Sequence, residues 1–167
     1  MIQLKPATHN DWKIIQSIAY ITWPDTFGKL IDKEQLDYML TLIYSEASLK
    51  SQMIQHNHQF LLVLNDETSV GFVSYELNYG STTQLMIHKI YLLPESQGLG
   101  IGTKIFNHLT EVAKNNHQEK LRLKVFHKND KAIGFYQKYG FTSAGVEMIN
   151  IDNKYTVLDN VMIKEIE

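Results

Sequence analysis

Leu93-Pro94-Glu95-Ser96-Gln97-Gly98-Leu99-Gly100-Ile101-Gly102-Thr103-Lys104 ends a long strand pattern and opens a helix pattern. Proline stops the strand, glycines stand at three alternate positions, and apolar residues then recur at helical spacing. Such a turn exposes several backbone N–H groups at the positive end of a helix, which makes an anion site. Glycine also lets a phosphate approach the main chain closely. Three ligand readings compete. A Walker A loop ends in Gly-Lys-Ser/Thr, whereas here Thr103 precedes Lys104. A dinucleotide fingerprint needs a third glycine where Thr103 stands and lies near the start of a domain, whereas more than half of this chain comes before the turn. The third reading is a pyrophosphate loop of the form Gln/Arg-x-x-Gly-x-Gly/Ala, which Gln97, Gly100 and Gly102 satisfy. The plain alternative is a glycine-rich turn that binds nothing.

Upstream of the turn, Ile2–Lys5 reads as a short strand, and Thr8 with Asp11 as a helix-start signal of the capping-box kind. The spacing of Ile14, Ile15, Ile18 and Ala19 predicts a helix over 9–21, stopped by Pro24. Two further helices are expected, one starting at Asp32 to Gln35 and one over 45–56. The runs 60–64 and 70–77 flank the turn signal Asn65-Asp66-Glu67 and predict an antiparallel hairpin, and 83–93 is a long strand. Downstream, a helix over 100–115, a strand over 121–126, a helix from the Asn129 cap to Gly140 and strands over 141–148 and 157–164 complete the pattern. A helix between two long strands implies a parallel crossover inside a mixed sheet.

A length of 167 residues favours one domain, 1–167, with a full core. Sixteen basic against eighteen acidic residues, net −2, argue against a nucleic-acid binder that relies on a basic face. The absence of cysteine removes disulfides, thiolate metal sites and any cysteine nucleophile, so reactive sulfur must arrive on a ligand. The start, Met1 to Pro6, has no apolar leader region and no stretch reaches membrane-spanning length, so a cytoplasmic protein without membrane contact is expected. No histidine spacing suggests a metal, and His56-x-His58 reads as solvated.

A second segment, Asn129-Asp130-Lys131-Ala132-Ile133-Gly134-Phe135-Tyr136-Gln137-Lys138-Tyr139-Gly140-Phe141, has the pattern Asn-x-x-Ala-x-x-Phe-Tyr-x-x-x-Gly-Phe. Together with the glycine turn it resembles the GNAT superfamily of acyl-CoA-dependent N-acyltransferases. The likeness covers residues 58–165 well and the first 57 more loosely. Lys89 to Leu92, the second segment, the tail through Met162 and Asp25-Thr26-Phe27 are loosely similar to bacterial spermidine/spermine-type acetyltransferases.

The resemblance implies an α/β (mixed α+β) fold. Its central mixed sheet has six to seven strands flanked by helices, with the acyl-CoA cleft between splayed central strands. It implies acetyl-CoA as co-substrate and no metal. Gln97, Gly98, Gly100, Gly102 and Thr103 match the positions that hold the CoA pyrophosphate. Leu92 and Leu93 match the segment bonded to pantetheine, and the Leu92 amide is also a candidate oxyanion donor. Asn129 matches a polar residue facing the cofactor arm, although a plain helix cap explains it equally. Tyr136 matches the residue placed near the cofactor sulfur, where a phenol can hydrogen-bond or protonate the leaving thiolate.

The amine must also lose a proton, since aliphatic amines are almost wholly protonated at neutral pH. Many relatives carry a glutamate at the position of Met86, and this chain departs from them there. His88, two residues on and on the same strand face, is the nearest titratable substitute, and Glu76 is another. Trp23, Asp25, Phe27 and Glu76, with Tyr38 and Tyr75, are candidates to line the acceptor site. The expected function is acetyl transfer to a primary amine, a polyamine or another small amine, by direct attack in a ternary complex. The alternatives are a protein or peptide N-acetyltransferase and a non-catalytic acyl-CoA-binding module. Many relatives dimerise, so a homodimer is open to this chain.

Overall fold

The computed structural model describes residues 1–167. Seven strands form one mixed sheet in the order β1-β2-β3-β4-β5-β7-β6. They are β1 (Ile2–Pro6), β2 (Gln59–Asn65), β3 (Thr68–Glu76), β4 (Gln84–Leu92), β5 (Lys120–Phe126), β6 (Thr142–Ile151) and β7 (Tyr155–Glu165). The helices are α1 (Trp12–Phe27), α2 (Lys33–Tyr44), α3 (Glu46–Ile54), α4 (Ile101–Asn115) and α5 (Asp130–Tyr139). The chain groups into two compact units, Met1–Glu76 with His88–Ile105, and Leu77–Ile87 with Phe106–Glu167, so β4 and α4 each contribute to both.

In the first unit β1, β2 and β3 pair antiparallel. The β2–β3 ladder carries an irregularity between Val63 and Leu64, after which Gln59 stands opposite Tyr75. The expected capping box is formed: Thr8 accepts from a backbone N–H and its own N–H bonds the Asp11 carboxylate. Pro24 does not stop the first helix. α1 runs through it to Phe27. Proline has no N–H and costs a helix interior heavily, but Trp23 beside it is buried and packs edge-on against Phe27 and Tyr44 at 4.9 and 5.6 Å. That burial outweighs the local penalty. Phe72 of β3 is fully buried at the centre of this unit, with Tyr44 and Tyr91 at 5.8 and 5.7 Å.

In the second unit β4 and β5 pair in parallel, from Gln84↔Lys120 to Ile87↔Leu123. The ladder ends there, although β5 continues to Phe126 and pairs with β7 along its whole length. β6 and β7 close the sheet as an antiparallel hairpin. Fully buried Phe106 of α4 gathers Tyr136, Tyr139 and Phe141 around it at 5.8, 4.9 and 5.4 Å. The aromatic residues of the second sequence motif thus hold α5 against α4. No helix is long and apolar enough to cross a membrane.

Candidate active site

β4 ends at Leu92, a short 3-10 turn covers Pro94–Ser96, and α4 starts at Ile101. The glycine turn lies between them. Gly98 and Gly100 have φ of +76° and +75°, a region that favours glycine. A Cβ built on either would meet nothing within 4 Å, so the concave side of the turn is open. The first helical bond is Lys104 N–H to the Gly100 carbonyl. The N–H groups of Ile101, Gly102 and Thr103 therefore precede the helical ladder and are donors for an anion. This donor set fits a pyrophosphate without any basic side chain.

Two further residues set the turn against the strand. Gln97 donates from Nε2 to the Leu92 carbonyl at 3.1 Å. The Leu93 N–H is bonded to the Val70 carbonyl at 2.8 Å, and the Leu93 carbonyl accepts from Ser96 at 2.9 Å. Leu93 therefore has little main-chain capacity left for a cofactor. Strand backbone groups alternate between edges, so the Leu92 N–H faces the edge away from β3. The close fit of β3 and β4 depends on Gly71, where a Cβ would lie 2.5 Å from the Tyr91 carbonyl oxygen and 2.6 Å from Leu92 Cδ2.

On the same unit, the two candidate bases meet. His88 Nε2 lies 2.8 Å from Glu76 Oε2, and both residues are half-buried. Met86, two residues before His88 on β4, packs into the core. A third residue joins them, against expectation. His58 is not a solvated surface residue: its ring stacks on His88 at 3.8 Å and 16°, and its Nε2 lies 3.7 Å from the same Glu76 oxygen. The irregularity in the β2–β3 ladder brings it there. Continuing the ladder one residue beyond Gln59↔Tyr75 puts His58 opposite Glu76, whereas the register before the irregularity would put it opposite Tyr75.

Burial pushes His58 down to about 3, with the nearby His88 adding to the effect. His58, Glu76 and His88 each offer one donor atom, all within 4.8 Å of one another, a set that could hold a divalent ion. The two rings lie nearly parallel, however, and their in-plane lone pairs lie in two separate, stacked planes. A shared metal needs those lone pairs to converge. The arrangement suits a shared proton better. Next along β4, Lys89 donates to Gln52 Oε1 at 2.7 Å and sits 5.6 Å from the Phe60 ring centre, and burial brings it down to about 8.

The acceptor candidates are dispersed. Trp23 is a core residue whose indole N–H donates to the Tyr44 hydroxyl at 3.1 Å. Asp25 is exposed on α1 and Phe27 is half-buried beside Trp23. Tyr75 is buried and donates to Gln59 Oε1 at 3.0 Å. Of these candidates only Glu76 lies in the histidine cluster.

In the second unit, Asn129 caps α5, with Oδ1 accepting from the Ala132 N–H at 3.3 Å, so its side-chain NH2 is what it can offer a ligand. Burial raises the Tyr136 hydroxyl to about 12, although part of the residue keeps contact with solvent. A phenol with that pKa stays protonated throughout the neutral range and acts as a donor, never as a base.

Comparison with known proteins agrees with this architecture. A mouse thialysine N-epsilon-acetyltransferase is 37% identical over 73 residues, which are 42% of this chain and 43% of that protein. The chain spans less than half the length of the first curated relatives it matches. A PaiA N-acetyltransferase of Thermoplasma acidophilum, solved in complex with coenzyme A, superposes with a TM-score of 0.79 at 21% identity, covering 99% of each chain. The ribosomal-protein-S18-alanine N-acetyltransferase of Escherichia coli does so with a TM-score of 0.73 at 16% identity, covering 100% of this chain and 95% of that one. These likenesses establish a common fold, the one expected from the paired motifs. The model of the acetyltransferase (GNAT) family matches residues 13–141, from the first turn of α1 to Phe141 just past the end of α5, and the chain belongs to that family.

Proposed function

We propose that the chain transfers an acetyl group from acetyl-CoA to the primary amine of a small molecule, polyamines included, by direct attack of the amine on the thioester. The observation that carries this reading is the His88–Glu76 contact of 2.8 Å on the unit that also bears the glycine turn. Acetyl-CoA supplies the acetyl group and a thiolate leaving group. The amides of the turn and of the first turn of α4 hold its phosphates, with Gln97 fixing the turn to the end of β4. The Leu92 N–H is the donor to the thioester oxygen, which gains negative charge as nitrogen attacks.

As the C–N bond forms, the amine gives up a proton to the imidazole of His88. Glu76 orients that ring and stabilises the imidazolium. As the C–S bond breaks a thiolate departs, and the protonated Tyr136 hydroxyl has the chemistry of a hydrogen-bond donor to such a group. Full transfer from a phenol near 12 to a thiolate whose thiol has a pKa near 9 is uphill by about 4 kcal/mol, so the final proton on CoA comes from solvent.

The test is a panel of mono-, di- and polyamines and N-terminal peptides incubated with acetyl-CoA, with thiol release as the readout. Acetylation of small amines above peptides is the expected result. Peptides outrunning every small amine would move the chain to the protein-acetylating class. Tight CoA binding with no thiol release from any acceptor would mark a binding module and contradict the proposal.

A further inference from the structure

His58 lies on neither sequence motif, and nothing in the reaction as set out above uses it. Yet its ring covers one face of His88 at 3.8 Å and 16°, and its Nε2 approaches the Glu76 oxygen that His88 binds. The backbone holds it in place: the His58 N–H donates to the Gln52 carbonyl at 3.0 Å, and Gln52 also accepts from Lys89. Its Nδ1 is buried without a hydrogen-bond partner. An orphaned buried nitrogen costs stability, so the ring keeps this place through its stack on His88 and not through a hydrogen bond of Nδ1. Two imidazoles at this spacing cannot both be charged, because like charges so close repel strongly.

We propose that His58 is a positioning residue for the proton-accepting pair: its ring, stacked flat on His88 beside Glu76, holds the His88 imidazole against that carboxylate. This rests on the reading of His88 as the base. The stack blocks rotation of the His88 ring about its Cβ–Cγ bond on one side, and the hydrogen bond to Glu76 fixes it in plane. His88 itself faces Glu76 at the end of β3 and His58 ahead of β2, while His56 and Lys89 act on the charge of His58. Because His58 stays neutral, it adds no positive charge to compete with the imidazolium.

The experiment compares His58→Ala and His58→Phe in the full chain. Steady-state kinetics run on the amine that ranks first in the panel, and nitrogen NMR of the His88 ring runs without substrate. His58→Ala is expected to lower kcat on the order of ten-fold with KM for acetyl-CoA unchanged, because an ill-held base loses part of its contribution. It should also give mixed His88 tautomers in the NMR spectrum and shift the acidic limb of the pH–rate profile. His58→Phe keeps the stack and is expected to restore a single tautomer and to bring kcat to within about three-fold of the parent. An alanine variant with the parental kcat and tautomer would overturn the proposal. So would a phenylalanine variant as impaired as alanine, since that places the role on the nitrogens. The NMR arm separates the two readings. If His88→Ala retains full activity while the His88 ring still depends on His58, the base assignment fails and the positioning stands.

Discussion

The glycine turn and the His58–Glu76–His88 cluster belong to the same unit but are built from opposite materials. The turn is main chain. It is exposed, and Leu99 within it is 64% exposed. Its chemistry is a set of N–H vectors fixed by two positive φ angles. The cluster is side chain. It is half-buried, and its chemistry depends on which ring or carboxylate stands at each of three positions. A backbone site therefore tolerates changes of side-chain type and fails when φ is forced negative. A side-chain site tolerates backbone adjustment and fails at single substitutions.

The largest effect expected from that difference is at Glu76. Glu76→Gln keeps the size and one hydrogen bond but removes the charge that supports the imidazolium. It should cut kcat/KM for the amine by about 100-fold while CoA affinity, measured by calorimetry, stays put. Gly100→Val should show the reverse pattern. A β-branched residue at φ +75° costs about 1–2 kcal/mol even with open space around it. CoA should then bind about ten-fold more weakly with kcat little changed at saturation. If both variants lost kcat and affinity together, the separation of the two regions would fail. Tyr136→Phe, in the second unit, should lower kcat about ten-fold without touching CoA affinity, since the ring packing on Phe106 is kept.

The smallest effect concerns stability. The folded chain keeps His58 neutral down to about 3, whereas an unfolded chain protonates it near 6.5. The unfolded state thus binds the extra proton between those values, and stability drops as pH falls through 6.5 toward 3. The melting temperature of the parent should therefore decline from pH 7 to pH 5, and His58→Phe should flatten that decline. An equal slope in both proteins would remove His58 as its source.

The two regions were also unequally legible in the sequence. The turn is contiguous: proline, three alternate glycines and a helix pattern within twelve residues describe it, and the structure adds only the φ angles and the Gln97 clamp. The cluster draws on three separated segments. Strand alternation suffices to propose His88 in place of Met86, and Glu76 lies within reach on the neighbouring strand. His58 escapes because its partner is set by an irregularity between Val63 and Leu64, and a slip of one residue exchanges the two faces. The continuation of α1 past Pro24 was hidden for a similar reason. The packing of Trp23 against Phe27, Tyr44 and Tyr91 is tertiary and leaves no local signature.

The most direct test of the account is the pH–rate profile of His88→Ala beside that of the parent, with CoA affinity measured in parallel. The account predicts a parent profile with an acidic limb, and a variant about 100-fold slower that has lost this limb and still binds CoA normally. A variant with the parental rate and the same limb would place the proton acceptor elsewhere and contradict the role given to the His88–Glu76 pair.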